Sequence, residues 1–339
     1  MKKSILLLSA VALLSTACQN FKKGDGGLEY KIVKDNGGDK AKAGDLLSVD
    51  MVITSDRDSV LNSTYELGLP QIVNIAPDSI PGLYKGDYNS MFKFLGEGDS
   101  AVFRLNVDTM AAKMSQPKVE FADKFVTFTI KVRKHFKKGN LTDSALYAQI
   151  NKYFEGELEG LKKSEESKIA GYIKSNKLEP KKSASGLQYV IKDQGKGVKP
   201  AIGDTVVVNY TGSLTSGKVF DTNNAEAAKK NKLHNAMRQY EPIRFRIGHD
   251  PVIQGWTEGL QLLNKGGKAT FIVPSQLGYG ERGGGGAIPP YAPLIFEVEL
   301  VDVVPGPKTE PAPAQAAPVN VAPTAQAAPK NKIEILKFY

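Results

Sequence analysis

The residues of this chain best equipped for chemistry are aromatic, not nucleophilic. One tryptophan occurs in 339 residues. It is Trp256, within VIQGWTEGL at 252–260, where two aliphatic residues and Gly255 lead into what reads as a short helix. By position alone it is either a core residue or a flat apolar face for a ligand. Conventional catalytic groups are sparse. The three histidines, His135, His234 and His249, lie in no metal-ligand spacing, so no metal is expected. No G-x-S-x-G elbow occurs, and Gly283–Gly286 is not a convincing oxyanion loop. The stretch GYGERGGGG lacks the Lys-Ser/Thr of a phosphate loop and reads as a mobile flap leading into Ile288-Pro289-Pro290. What remains is chemistry by shape, desolvation and a few hydroxyl or carboxylate groups, with no cofactor.

Strands must position these residues. TVVVNYTGSL (205–214), IRFRIG (243–248), KATFIVP (268–274) and PLIFEVELVDVV (293–304) read as strands separated by Gly and Pro. With one short helix at 256–263 they predict an α+β domain, an antiparallel sheet wrapped around a helix. The same pattern occurs earlier. GLEYKIVKDNGGDKAKAGDLLSVDMVI from Gly27 matches GLQYVIKDQGKGVKPAIGDTVVVNYTG from Gly186 at an offset of 159. Farther on, PQIVNI at Pro70 matches PIRFRI at Pro242 at an offset of 172, so the second copy holds thirteen extra residues. These fall in AEAAKKNKLHNAMRQYE (225–241), beside the candidate site, and read as a surface excursion or as a basic lip that selects clients. Between the copies, Leu141, Leu146, Ile150, Phe154, Leu158 and Leu161 recur near helical spacing, and Ile169, Tyr172 and Ile173 continue the stripe. The organisation expected is a signal segment (1–17), a tether (18–26), a first β-rich domain (27–136), a helical linker (137–182), a second β-rich domain (183–304) and a Pro/Ala-rich tail (305–339).

In order and spacing, VVVNYTG, GKVFD, VIQGWTEGL, PSQLGYG and AIPPYAPLIFEVEL resemble the FKBP-type peptidyl-prolyl isomerases over residues 186–304. The resemblance implies catalysis of X–Pro cis-trans isomerisation and assigns residues by motif. Tyr210, Phe220, Asp221, Trp256 and Tyr279 would be catalytic, with Trp256 as the floor of a proline pocket and Tyr279 as hydroxyl donor to a ligand carbonyl. Ile243, Phe245, Val252, Ile253, Ile288 and Phe296 would bind substrate. Ile243 stands where the family usually has phenylalanine, which makes that wall smaller. The chemistry fits these residue types, because a twisted amide is less dipolar than the planar one and an apolar pocket favours it. In the first copy Met51, Leu61 and Asn62 replace Tyr210, Phe220 and Asp221, and no tryptophan stands near SIPGLYKGDYNSM. That copy therefore resembles a degenerate FKBP-like domain, expected to fold similarly, to isomerise proline poorly or not at all, and to bind clients or pair subunits. The alternative for the whole chain is a non-catalytic chaperone or client-binding lipoprotein.

The first residues, MKKSILLLSAVALLSTAC, have a charged start, an apolar run from Ile5 to Leu14 and small residues before Cys18, the one cysteine. This resembles a bacterial lipoprotein signal, with Ser15 where leucine is usual, and implies lipid attachment at Cys18. Gln19 lacks the aspartate that resembles an inner-membrane retention signal, so the cell envelope, at the outer membrane facing the periplasm, is the expected location. Partners expected are the membrane, through the lipid anchor, and proline-containing unfolded or partly folded envelope proteins. A homodimer follows by family analogy. Although the formal net charge is +9, the lysines are scattered and no Arg-rich block occurs, so nucleic acid is not expected.

Overall fold

The computed structural model describes residues 21–57 and 59–306. The signal segment, Cys18 with its lipid attachment, and residues 307–339 of the tail lie outside the described residues. Two compact units divide the chain, with the boundary between Ile150 and Asn151.

The first unit contains β1 (Lys22–Lys23), β2 (Glu29–Lys34), β3 (Leu46–Ser55), β4 (Val60–Ser63), β5 (Gln71–Asn74), β6 (Ser100–Asn106) and β7 (Phe125–Phe136). Helix α1 (Thr64–Leu67) follows β4 in the chain, and the helices of the unit are α2 (Tyr88–Phe92) and α3 (Val107–Met114). The strands run in the order β1-β2-β6-β7-β3-β4, with β5 also on β3. Within the segment read as a tether, Lys22 and Lys23 pair with Tyr30 and Glu29. Helix α4 (Asp143–Asn176) follows.

The second unit contains β8 (Lys181–Lys182), β9 (Gln188–Asp193), β10 (Thr205–Leu214), β11 (Val219–Thr222), β12 (Ile243–Arg246), β13 (Lys268–Val273) and β14 (Leu294–Val304), with α5 (Ala225–Lys230) and α6 (Gln254–Gly259). Its order is β8-β9-β13-β14-β10-β11, with β12 on β10, which repeats the first sheet strand for strand. The irregularities repeat too. The register of β3 on β7 shifts between Ser48 and Val49, and that of β10 on β14 between Val207 and Val208. These positions differ by the same 159 residues that relate the two sequences. An extra residue in one strand bends it and fixes register, so the two units share their bends as well as their order.

Period-two alternation builds each core. In β7, Val126, Phe128, Ile130 and Val132 are buried while Thr129 and Lys131 face solvent. In the second unit Val206, Val208, Ala269, Phe271, Phe296 and Val298 form the corresponding layer. Each such aromatic or branched side chain contributes about 1.5–3 kcal/mol on burial.

The first unit also buries carboxylates. Asp99, wholly inaccessible, accepts from the Asn36 and Gly96 amides at 2.7 Å each and from Lys40 Nζ at 2.8 Å. Burial alone would raise its pKa, but these donors outweigh it and hold the pKa below the ordinary value. A depressed folded-state pKa contributes stability that is present above the unfolded value, about 3.9, and lost as pH falls through the folded one. Urea unfolding between pH 7 and pH 3 is therefore expected to show the first unit weakening below about pH 4. Asp99→Asn should flatten that dependence, and an unchanged pH profile in the variant would remove Asp99 as its source.

Candidate active site

Strand alternation sets Tyr210 on the inward face of β10, in line with Val206 and Val208. Ile243 and Phe245 share one face of β12, and Phe296 points inward from β14. The helix bearing Trp256 lies unusually close to β13. A Cβ on Gly255 would stand 2.6 Å from Val273 Cγ1, and one on Gly259 2.7 Å from Phe271 Cε2. Glycine at both positions lets α6 sink against the strand and brings Trp256 into the core, where it is 5% exposed.

Aromatic rings surround the indole. Tyr210 meets it edge-on at 5.1 Å between centroids, Phe296 does so at 5.3 Å, and Phe245 lies tilted at 5.8 Å. Phe220 stands edge-on to Phe296 at 5.7 Å. Val252, Ile253, Ile243, Ile288 and Tyr279 belong to the same apolar cluster. The structure thus gathers the ten expected apolar and aromatic residues, and Asp221 joins them through a hydrogen bond from the Tyr210 hydroxyl. The buried indole N–H finds no acceptor among the described residues.

Arg238 is the site residue that the sequence reading did not single out. It lies in the insert at 225–241, whose start is the short helix α5, capped by Asn224. Its Nη1 donates to Asp221 Oδ1 at 2.6 Å and its Nη2 to the Tyr210 hydroxyl at 3.3 Å. Asn223 fixes the ends of the insert: its Oδ1 accepts from the Tyr210 amide at 2.8 Å and its Nδ2 donates to the Glu241 carbonyl at 3.0 Å. The available signal was an arginine shortly before β12 in a segment already placed beside Asp221.

These contacts set the electrostatics. Burial, then the negative charge of Asp221 and the hydrogen bond to it, push the Tyr210 hydroxyl far above its ordinary range. Burial and the charge of Asp221 also raise Tyr279. For Arg238 burial opposes the charge, but Asp221 outweighs it and the pKa is raised. At neutral pH both tyrosines are protonated. The Tyr210 proton is committed to Asp221, whereas the Tyr279 hydroxyl has no hydrogen-bond partner among the described residues. The ring of Tyr279 packs on Gly284, where a Cβ would lie 2.8 Å from Cδ1. The glycine-rich stretch is tied into a small loop: Gly284 and Ile288 exchange backbone hydrogen bonds at 3.0 and 2.9 Å, and the Tyr291 amide donates to Gly280 O at 2.9 Å.

The second unit is similar in sequence to known proteins. Residues 196–301 match the family model described as FKBP-type peptidyl-prolyl cis-trans isomerase. A protein of Haemophilus influenzae named a probable FKBP-type peptidyl-prolyl cis-trans isomerase is 46% identical over 130 residues, 38% of this chain and 47% of that protein. The Outer membrane protein MIP of Legionella longbeachae is 42% identical over 146 residues, 42% of this chain and 56% of that protein. Among solved structures, FkpA from Escherichia coli is 37% identical, with 49% of this chain and 75% of that chain covered, at a TM-score of 0.39. The chain spans about half the length of the curated relatives it matches.

Proposed function

We propose, from the premise that residues 196–301 are an FKBP-type peptidyl-prolyl cis-trans isomerase domain, that the whole protein isomerises X–Pro bonds in unfolded or partly folded envelope proteins. The observation that carries this reading is the ring of Tyr210, Phe245 and Phe296 around buried Trp256, with Asp221 held between Tyr210 and Arg238.

An X–Pro bond isomerises unaided over tens to hundreds of seconds, against a barrier of about 18–20 kcal/mol that comes from amide resonance. A pyrrolidine ring seated on Trp256, between Phe245, Phe296, Phe220 and Ile243, leaves water. The planar amide loses solvation there, and the twisted amide, which is less dipolar, loses less. Val252 and Ile253 present backbone at the entry to α6, and Ile288 closes the loop side. Tyr279 offers the uncommitted hydroxyl to a substrate carbonyl. Tyr210, Asp221 and Arg238 hold a neutralised polar edge on an otherwise apolar site. No covalent intermediate is needed, since each tenfold in rate takes about 1.4 kcal/mol.

The first unit enters as a degenerate FKBP-like domain that binds clients or pairs subunits, α4 as the linker, and Cys18 as the lipid attachment site in the envelope, at the outer membrane facing the periplasm. A relative named as an outer membrane protein supports that location. The alternative, a non-catalytic chaperone, draws on the first unit, where Met51 and Leu61 stand at the positions of Tyr210 and Phe220.

A protease-free assay with proline peptides tests the proposal on the full chain. Catalysis above the spontaneous rate is expected, and its absence from folded protein would leave the chaperone reading. Arg238→Met should lower kcat/KM about three- to tenfold, because a charge-assisted hydrogen bond is worth about 1.5–3 kcal/mol and this one is partly exposed. An unchanged kcat/KM would return the insert to the status of a surface excursion.

A further inference from the structure

We propose that Glu165, in the middle of α4, is a positioning residue for Tyr279; the inference rests on the isomerase reading of Tyr279 given above. Lys162, Glu165, Ile169, Tyr172 and Ile173 share one face of α4 by helical spacing. Ile169 packs on Ile272 of β13 and Ile295 of β14, which are register partners, and Tyr172, Ile173 and Leu178 surround the contact. Ile272 and Ile295 lie on the face of the sheet opposite Phe271 and Phe296, so α4 covers the back of the two strands whose front carries the aromatic site.

From that packed face Glu165 reaches the turn that leads to Tyr279. One carboxylate oxygen accepts from the Ser275 amide, and the other accepts from Ser275 Oγ at 2.8 Å. Ser275 is buried, at 4% exposed, and opens the 3-10 turn Ser275–Leu277. The cap of that turn is Pro274, which supplies no side-chain hydrogen bond. A carboxylate 110 residues away in sequence therefore satisfies the first amide of the turn. Tyr279 comes four residues after Ser275. The turn also abuts the tryptophan helix, since a Cβ on Gly255 would lie 3.4 Å from Leu277 O. On the far side of the same loop, Lys162 Nζ lies 5.9 Å from the ring centroid of Tyr291.

A hydroxyl that donates to a developing charge distribution must be held to within a fraction of an ångström to be useful. With Glu165 removed, Ser275 keeps a buried amide and hydroxyl without acceptors, and the turn has reason to shift. The effect should appear in kcat more than in KM, because the apolar walls remain.

The test is a double-mutant cycle in the full chain, comparing Glu165→Ala, Glu165→Gln, Tyr279→Phe and Glu165→Ala/Tyr279→Phe. It is read by kcat/KM on a proline peptide and by amide hydrogen exchange over residues 275–281. Glu165→Ala is expected to lower kcat/KM about fivefold, roughly 1 kcal/mol, and to speed exchange in that segment. Glu165→Gln should restore most of both, since its amide can accept from the Ser275 N–H and donate to Oγ. In the Tyr279→Phe background Glu165→Ala should cost nothing further. An equal loss in both backgrounds, or unchanged rate and exchange, overturns the proposal. If Tyr279→Phe alone is without effect, the substrate role of Tyr279 falls and this proposal with it. An inactive wild type would refute the isomerase reading separately, and faster exchange in Glu165→Ala would still support the positioning of the turn.

Discussion

Asp221→Ala is expected to lower kcat/KM on a proline peptide about a hundredfold, and Trp256→Leu at least tenfold. A hundredfold corresponds to about 2.7 kcal/mol of transition-state stabilisation. Three effects of the aspartate substitution act in one direction. The Tyr210 hydroxyl loses its acceptor, Arg238 loses its counter-ion at 2.6 Å, and a half-buried cation is left at the edge of an apolar site. Removing one partner of a fully buried pair costs about 3–5 kcal/mol and of an exposed pair about 0–1. This pair, with side chains 31% and 28% exposed, lies between the two. Thermal unfolding run beside the assay separates lost chemistry from lost fold. On the proposal that the first unit is degenerate, the Asp221→Ala/Trp256→Leu double variant of the full chain should fall to the spontaneous rate. In that unit Tyr88 stands 5.5 Å from Phe128, with its hydroxyl turned to Met51 Sδ at 4.0 Å. Burial pushes that hydroxyl far above its ordinary range. It is enclosed, and Asn62 stands at the position of Asp221. Activity remaining in the double variant would place a second site in the first unit.

How much of this the sequence discloses depends on whether a feature is periodic. Alternation in FVTFTIKV specifies a strand with one buried face, and β7 is one. The repeated register shift at Ser48/Val49 and Val207/Val208 comes from an extra residue in the facing strand, Arg133 of β7 and Val301 of β14, which stand 168 positions apart, so the offset of 159 does not carry it. KATFIV does not alternate: Phe271, Ile272 and Val273 are all buried. That pattern announces burial on both faces but not what covers the second, and the covering residue, Ile169, lies about a hundred positions earlier in a segment that reads only as an amphipathic helix. Arg238 was illegible for a different reason. The insert has no counterpart in the first copy, so the repeat gave it no register, and a long side chain reaching back to Asp221 is a tertiary event. Tyr88 was missed because loops of unequal length break the offset before α2, and a search for tryptophan does not find a tyrosine that packs on Phe128. Lys22 and Lys23 carry no apolar signal, since a two-residue edge strand is held by backbone pairing alone.

Gly259→Ala should destabilise the second unit by about 1–2 kcal/mol, although the same change favours a helix intrinsically by about 1 kcal/mol. The opposing effect is steric. The new Cβ would lie 2.7 to 3.0 Å from three atoms of the Phe271 ring, and Phe271 is wholly buried. Protein interiors are packed to crystal density, and forcing one more carbon into them costs about 1–3 kcal/mol, occasionally more. Gly255→Ala meets Val273, at 2.6 Å from Cγ1 and 3.0 Å from Cγ2, and a β-branched side chain has little rotamer freedom with which to yield. Since α6 carries Trp256, a helix lifted from β13 also moves the indole relative to Tyr210, Phe245 and Phe296, so kcat/KM should fall along with stability. Gly160 in α4 is the control. Nothing lies within 4 Å of a Cβ there, and Gly160→Ala should stabilise by up to about 1 kcal/mol. Denaturant unfolding of the three variants reads the signs directly. Stabilisation by all three would mean that α6 does not lie against β13 as closely as described, and the placement of Trp256 would then need another cause.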